Sequence, residues 1–403
     1  MGRRYYTLRR LPRQPVFRFF LALLIVWDTL HILRIHWAQT ASRQSPPPPR
    51  NAKRIYIAAQ HWNTARLLRD RWNDALLALV KELGVENVYV TIYESGSYDD
   101  TKGALRELDT ALGQLEVKRH ITLSDISHKD EITKQPTDHG WIKIPSGETA
   151  LRRIPFLANL RNQILDTLQE LHSQGHKFDN ILFLNDVVFT PEDVLRLLNT
   201  NDGDYAAACS LDFSLPPYFY DTFALRDSQG HEAVMQTWPY FRSSASRYAT
   251  ENFLPVPVAS CWNGMVTMPV APFLSKSPIR FRGISDSLGE SHLEGSECCL
   301  IHADNPLSVT NGVFLNPVVR VGYNATSFDA IHSQYEELSM LDIWKGVWKN
   351  RILRWLTTPV LKEWVVRQRV KNWRKKHGSE DEPGGFCLIN EMQVIHEKGW
   401  RHV

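Results

Sequence analysis

Three acids stand where an apolar strand pattern runs out. Ile181-Leu182-Phe183-Leu184 leads into Asn185 and Asp186, and Thr190-Pro191-Glu192-Asp193 then reads as the start of a helix. Glu94, with Ser95 behind it, closes the β-branched and aromatic run 88–93, and Asp212 closes the run 204–211. An acid at the carboxyl end of a central parallel strand lies where an open α/β sheet binds its ligand. A carboxylate there can hold a hard divalent cation, which in turn can hold a diphosphate. Taken singly, each acid is equally well explained as turn chemistry. Together with His61 and Asn63 after the run 55–59, they place polar clusters at equivalent strand ends, which favours one shared cleft.

Other residues suit a nucleotide and a sugar. Arg161, followed by Asn162, lies on a helical stretch from 152 to about 172, and a guanidinium grips phosphate through paired hydrogen bonds. On an outward face the same arginine is merely solvated. Trp262-Asn263-Gly264 sets an indole, an amide and a flexible glycine side by side, and sugars need both a ring face and a hydrogen-bonding group. Glu297 opens a short helix that runs through Cys298-Cys299-Leu300-Ile301 to His302 and Asp304. A carboxylate there is a cap favoured by the helix dipole, or it faces the cleft and steadies a positively charged, sugar-like transition state. His302 can complete a metal shell, although a lone helical histidine is more often structural.

The elements that must carry these residues alternate. Strands are predicted over 55–59, 88–93, 118–123, 180–189, 204–211, 256–259 and 316–323, with helices over 67–83, 101–112 and 152–172. The alternation predicts an α/β fold, a mainly parallel sheet flanked by helices. Length and apolar content suffice for one large domain. Lys and Arg number 47 against 44 Asp and Glu, a net charge of +3, and no nucleic-acid footprint covers the core.

The ends differ in character. Residues 1–15 read as a basic cytosolic tail and 16–37 as a signal anchor, because arginines precede an apolar run and hold that side in the cytosol. The run reaches about 20 residues only by tolerating Asp28, His31 and Arg34. A cleaved signal peptide and an interfacial helix are the rival readings, and no small-x-small cleavage site follows. Residues 38–52, with Pro46 to Pro49, read as a stiff stem. The main domain is expected over 53–330. Residues 331–403 are expected to be a basic, Trp-rich helical extension that suits an anionic membrane surface or packs on the domain. All five cysteines follow the anchor, so some pair in an oxidising compartment and at least one is left free or paired between molecules. Cys298-Cys299 is no zinc motif, and Asn324-Ala325-Thr326 is a glycosylation sequon.

Several segments, taken in order, resemble one family. Tyr93-Glu94-Ser95-Gly96-Ser97 with Asp99 and Thr101, then Arg161-Asn162, then Phe183-Leu184-Asn185-Asp186-Val187 are the first three. Cys209-Ser210-Leu211-Asp212-Phe213, Cys261-Trp262-Asn263-Gly264 and Ser296-Glu297-Cys298-Cys299 complete the series. They resemble the fungal capsule-associated, Cap59-like mannosyltransferases, over residues 54–323. The resemblance implies a GT-A type glycosyltransferase, a single-pass type II protein of the Golgi or ER membrane with its catalytic domain luminal. It implies GDP-mannose as donor, a mannose-containing glycan as acceptor, Mn2+ or Mg2+ as cofactor, and α-1,3 transfer with retention. On it, Asp186 is the metal-binding acid of an Asp-x-Asp type motif that here reads Asn185-Asp186-Val187. One acid stands where two are usual, so His302 or Asp304 becomes a supplement. Glu94, Ser95, Arg161, Asn162 and Asn185 fall on the nucleotide-sugar side, Trp262 and Asn263 on the acceptor side, and Glu297 and Asp212 are the catalytic candidates. A transferase using another nucleotide sugar, or a non-catalytic membrane-tethered factor in polysaccharide assembly or export, stays open.

Overall fold

A computed structural model describes residues 15–43, 53–144, 146–333, 337–356, 359–378 and 381–403. The basic stretch before residue 15 and the proline run 46–49 lie outside the described residues.

Strands Ile55–His61, Val88–Glu94 and Asn180–Leu184 are buried along almost their whole length. Such runs need cover on both sheet faces. The sheet order is Lys118–Leu123, Val88–Glu94, Ile55–His61, Asn180–Leu184, Met265–Pro269, Ala207–Leu215, Val313–Gly322, Val256–Ser260 and Arg226–Asp227. The first four strands run parallel, as do Val313–Gly322 and Ala207–Leu215. The mainly parallel α/β architecture expected from the sequence is therefore the one observed. Met265–Pro269 departs from it, antiparallel to both neighbours. It is short, follows a glycine turn and ends in proline, which hides it from pattern reading.

Helices supply the cover. In Asn73–Leu83 the buried Leu76, Leu79, Val80 and Leu83 form one stripe, and the helix stops at Gly84, whose φ of 87° suits glycine. The turn before it, Leu68–Trp72, is a wide π-helical one. Arg153–Ser173 buries Ile154, Ala158, Ile164, Leu165 and Leu168. The strand expected to reach 189 ends at Leu184. Val187 N–H bonds back to Asn185 O at 2.9 Å, which curls Asn185 and Asp186 into a turn at the strand's carboxyl end.

Cys209 pairs with Cys261 and Cys299 with Cys387, leaving Cys298 as a buried thiol. Helix Pro15–Arg43 is long and apolar enough to cross a membrane. Helices Met340–Trp355 and Pro359–His377 occupy the expected extension. Beyond them come a short 3-10 turn, Gly385–Cys387, and strands: Leu388–Ile389 pairs with Glu294–Gly295, and Gln393–His396 forms a hairpin with Gly399–His402. Helix Pro359–His377 stops before Gly378, whose φ of 86° suits glycine.

Candidate functional site

The Asn185–Asp186 turn is held by two tryptophans. Trp72, from the π-helical turn, donates its indole N–H to Asn185 O at 3.1 Å, and Trp262 donates to Asn185 Oδ1 at 3.1 Å. Trp262 in turn sits in a tightly determined loop. Asn263 and Gly264 have φ of 43° and 90°, and a Cβ on Gly264 would meet Val321 Cγ2 at 2.6 Å, so only glycine fits. Ser210 Oγ donates to Asn263 O at 2.5 Å, and Asn263 Nδ2 donates to Asp212 Oδ1 at 2.8 Å. Tyr323 Oη donates to Asp212 Oδ2 at 3.1 Å.

Across from this loop, Arg161 projects from helix Arg153–Ser173. Its guanidinium carbon lies 4.5 Å from the Trp262 ring centroid, and Nε donates to Glu297 Oε1 at 3.1 Å. Glu297 is the first residue of helix Glu297–Asp304, whose cap is the Ser296 hydroxyl. The carboxylate is nearly closed off, its side chain 3% exposed, so it is a buried, paired charge beside a cation stacked on an indole. Cys298 Sγ donates to Glu297 Oε1 at 3.3 Å. Burial pushes that thiol well above its usual range, which keeps it neutral and unsuited to nucleophilic attack.

These groups line a cleft of about 530 Å³ that also takes in Asn185, Tyr323 and Asp221. Burial lifts the Asp186 carboxyl to about 6, opposed by its own backbone N–H and by Arg161. Asp212 and Asp221 are both raised, chiefly by burial, and they repel one another. Tyr323 is raised by burial and by these acids, so it stays a donor to Asp212.

The expected residues divide. Arg161, Asn185, Trp262 and Glu297 line the cleft, and Asp212 and Asn263 stand directly behind it. Asn162 does not line it; its amide clips the Phe281 backbone, donating to Phe281 O at 2.8 Å and accepting from Phe281 N at 3.0 Å. Glu94 and Ser95 lie outside its walls, at the end of strand Val88–Glu94, where Glu94 accepts from Ser97 N–H and has Lys102 Nζ 4.0 Å away. His302 is turned elsewhere: Nε2 donates to Cys261 O at 2.7 Å, and burial lowers the ring to about 4. Asp304 is gripped by Arg282 at 2.6 and 3.0 Å. Neither lines the cleft, so the supplement to Asp186 expected from the Glu297–Asp304 helix is not brought there. Asn324 is exposed, its Oδ1 accepting from Ser327 N at 2.8 Å.

Sequence reading missed Asp221, whose N–H donates to Asp212 Oδ1 at 3.2 Å. It also missed the C-terminal hairpin, which brings Glu391, Gln393, Trp400 and His402 to the cleft, with Arg153 stacked 4.5 Å from the Trp400 centroid. The Cys299–Cys387 disulfide fastens this tail to the helix that carries Glu297. We expect Cys387→Ser to cost about 2–5 kcal/mol of stability and to raise the KM for a sugar substrate about tenfold with a smaller loss in kcat. Thermal melting and steady-state kinetics read the two effects; an unchanged KM would mean that the tail does not shape the cleft.

The residues present suit a hard divalent cation. Asp186 does not itself line the cleft but follows Asn185 of its wall; its carboxylate is hydrogen-bonded by its own backbone, and like Asp221 of the cleft wall it offers oxygen donors. Among the described residues, the one trio of His, Cys or acids close enough to share an ion is Cys209, Cys261 and His302, and its sulfurs are joined in a disulfide. A cation at Asp186 would therefore complete its shell from substrate oxygens and water, as magnesium-type ions commonly do.

Residues 54–304 match the family model described as Cryptococcal mannosyltransferase 1. The match spans more than half of the chain, and the protein belongs to that mannosyltransferase family. No curated protein matches it in sequence. Among solved structures, mannosyltransferase PcManGT from Pyrobaculum calidifontis, in complex with GDP-Man and Mn2+, is 10% identical, with coverage of 90% of this chain and 87% of that one at a TM-score of 0.39. S. aureus TarS 1-349 is 8% identical over 67% of this chain and 60% of its own, at 0.36. GalNAc-T7 with UDP, GalNAc and Mn2+ is 9% identical over 67% and 43%, at 0.35. Overlaps this loose establish nothing about the chemistry of this chain.

Proposed function

We propose that the protein moves mannose from GDP-mannose to a mannose-containing glycan, forming an α-1,3 linkage with retention. Family membership supports mannosyl transfer. The observation that carries the reading is the Arg161–Glu297 pair, stacked on Trp262 and electrostatically coupled to Asp186 at the end of a central strand. Asp186, coupled electrostatically to Arg161, would hold a Mn2+ or Mg2+ ion, which would supply charge neutralisation on the departing diphosphate. Arg161 offers its remaining N–H groups to phosphate and keeps Glu297 in place. Glu297 faces the reacting sugar as electrostatic support for developing positive charge, and Asp212 orients Asn263 and Tyr323 at the acceptor side. With retention by direct displacement, the acceptor oxygen bonds the anomeric carbon on the face the phosphate leaves, and the hydroxyl proton departs with that phosphate. Glu94 and Ser95, at the end of the strand that lies one strand beyond the neighbour of Asn180–Leu184, are assigned to the nucleotide.

The domain over 53–330 is taken as catalytic, behind an anchor at 16–37. A luminal, type II placement in the Golgi or ER membrane is supported by the apolar Pro15–Arg43 helix and by two disulfides. The Asn324 sequon then carries a glycan. The test is the full chain in detergent with labelled GDP-mannose, a panel of other nucleotide sugars, and mannose oligosaccharides. Mannose transfer with Mn2+, cut about 100-fold by chelator and restored by Mn2+, supports the reading. Transfer from a different donor, or from none, overturns it.

A further inference from the structure

The N-terminal helix has two halves. Residues 15–27 are exposed throughout, whereas from Asp28 one face, with Ile35 and Gln39, is buried against the domain. The contact is polar and specific. Arg351 Nη1 and Trp348 Nε1 each donate to the Asp28 carboxylate at 2.6 Å, Arg351 Nη2 reaches His31 Nδ1 at 3.3 Å, and His31 Nε2 meets Glu251 Oε2 at 3.1 Å.

Length then sets the depth. Residues 15–27 rise about 20 Å as a helix, against about 30 Å of bilayer hydrocarbon. A span must therefore include about seven further residues, the stretch that carries Asp28 and His31. A carboxylate there needs a partner, and Arg351 and Trp348 supply it. Both partners belong to helix Met340–Trp355, so that helix is drawn to the same level.

This helix carries two apolar faces. Ile343 and Val347 are buried in the domain. On the other face Trp344 is 46% exposed, Ile352 44%, Trp355 70% and Leu356, just beyond, 77%. Lys345 and Lys349 stand exposed beside them. Exposed tryptophans edged by lysines suit the border between acyl chains and anionic headgroups.

We propose that this face lies in the membrane that the N-terminal helix enters, so that the domain is seated on the bilayer rather than swinging free on a stem. The proposal rests on reading the Pro15–Arg43 helix as a span. The test is the full chain in phosphatidylcholine–phosphatidylserine nanodiscs with a photoactivatable acyl chain, the cross-linked peptides being mapped by mass spectrometry. We expect cross-links on residues 15–27 and on residues 340–356. In the Trp344→Lys, Trp355→Lys double variant the second set is lost and the first kept. Both sites are exposed, so folding is checked by an unchanged melting temperature; should the variant misfold, the wild-type map alone decides. Cross-links confined to 15–27 overturn the seating while leaving the span intact, and cross-links at neither place overturn the span as well. A dimer that covers the 340–356 face and excludes lipid overturns the proposal in favour of a second copy.

Discussion

Asp186→Asn is expected to abolish mannosyl transfer, by about 10³-fold or more, and at the same time to stabilise the cation-free protein. Burial holds the Asp186 carboxyl at about 6 rather than its ordinary 3.8. A pKa raised in the folded state means that the contribution to stability is complete below the unfolded value and is lost as pH rises through the folded one. The window is thus about pH 4 to about pH 7. Above it, the ionised side chain destabilises the cation-free wild type by roughly 3 kcal/mol, a penalty that asparagine avoids. Thermal melts in chelator should show the wild type losing stability across this window and Asp186→Asn losing less. Burial also raises Asp212 and Asp221, so the difference between the two proteins, not either curve alone, isolates Asp186. Added Mn2+ should raise the melting temperature of the wild type at neutral pH and leave the variant unmoved. A variant that keeps activity within about tenfold would remove Asp186 from the diphosphate.

The parts of the molecule that could be read from sequence are those whose signal is local. The β-branched run ending at Glu94 and the buried run ending at Leu184 declare themselves as strands, and the stripe through Leu76, Leu79, Val80 and Leu83 declares a helix. Residue type was enough to single out Asp186 and Asp212, although the strand expected to close at Asp212 runs on through it to Leu215. What was illegible is direction and long-range pairing. His302 and Glu297 share one eight-residue helix, yet one ring turns to the Cys261 carbonyl and the other side chain to Arg161. Arg161 and Glu297 were each picked out, but nothing local pairs residues 136 apart. Asp221 was hidden in an aromatic stretch; it gains its place through the backbone turn that sets its N–H on Asp212. The hairpin at the C-terminus reaches the cleft through a disulfide that closes over 88 residues, and no short-range pattern announces such a closure.

The Arg161–Glu297 pair gives the second large effect, and it separates structure from chemistry. Arg161→Ala leaves Glu297 buried without its cation, a loss of about 3–5 kcal/mol, and should also remove transfer. Glu297→Gln keeps shape and an acceptor oxygen for Arg161 but not the charge. It should lose less stability than Arg161→Ala, because glutamine still accepts from Arg161 and the guanidinium stays stacked on Trp262; kcat should fall by about 10²- to 10⁴-fold and the donor KM change little, because support for a developing cation acts in the transition state. The double variant Arg161→Ala, Glu297→Gln removes both charges together. It should regain most of the stability lost by Arg161→Ala, since the unpaired buried carboxylate is gone, and stay inactive. Non-additive stability together with undiminished inactivity would mean that the pair holds the cleft together and that its charges are also used on substrate. Were Glu297→Gln to keep its kcat, Glu297 would be a positioning residue for Arg161, and the support for the sugar cation would have to come from another acid of the cleft wall, Asp221, Glu232 or Glu391.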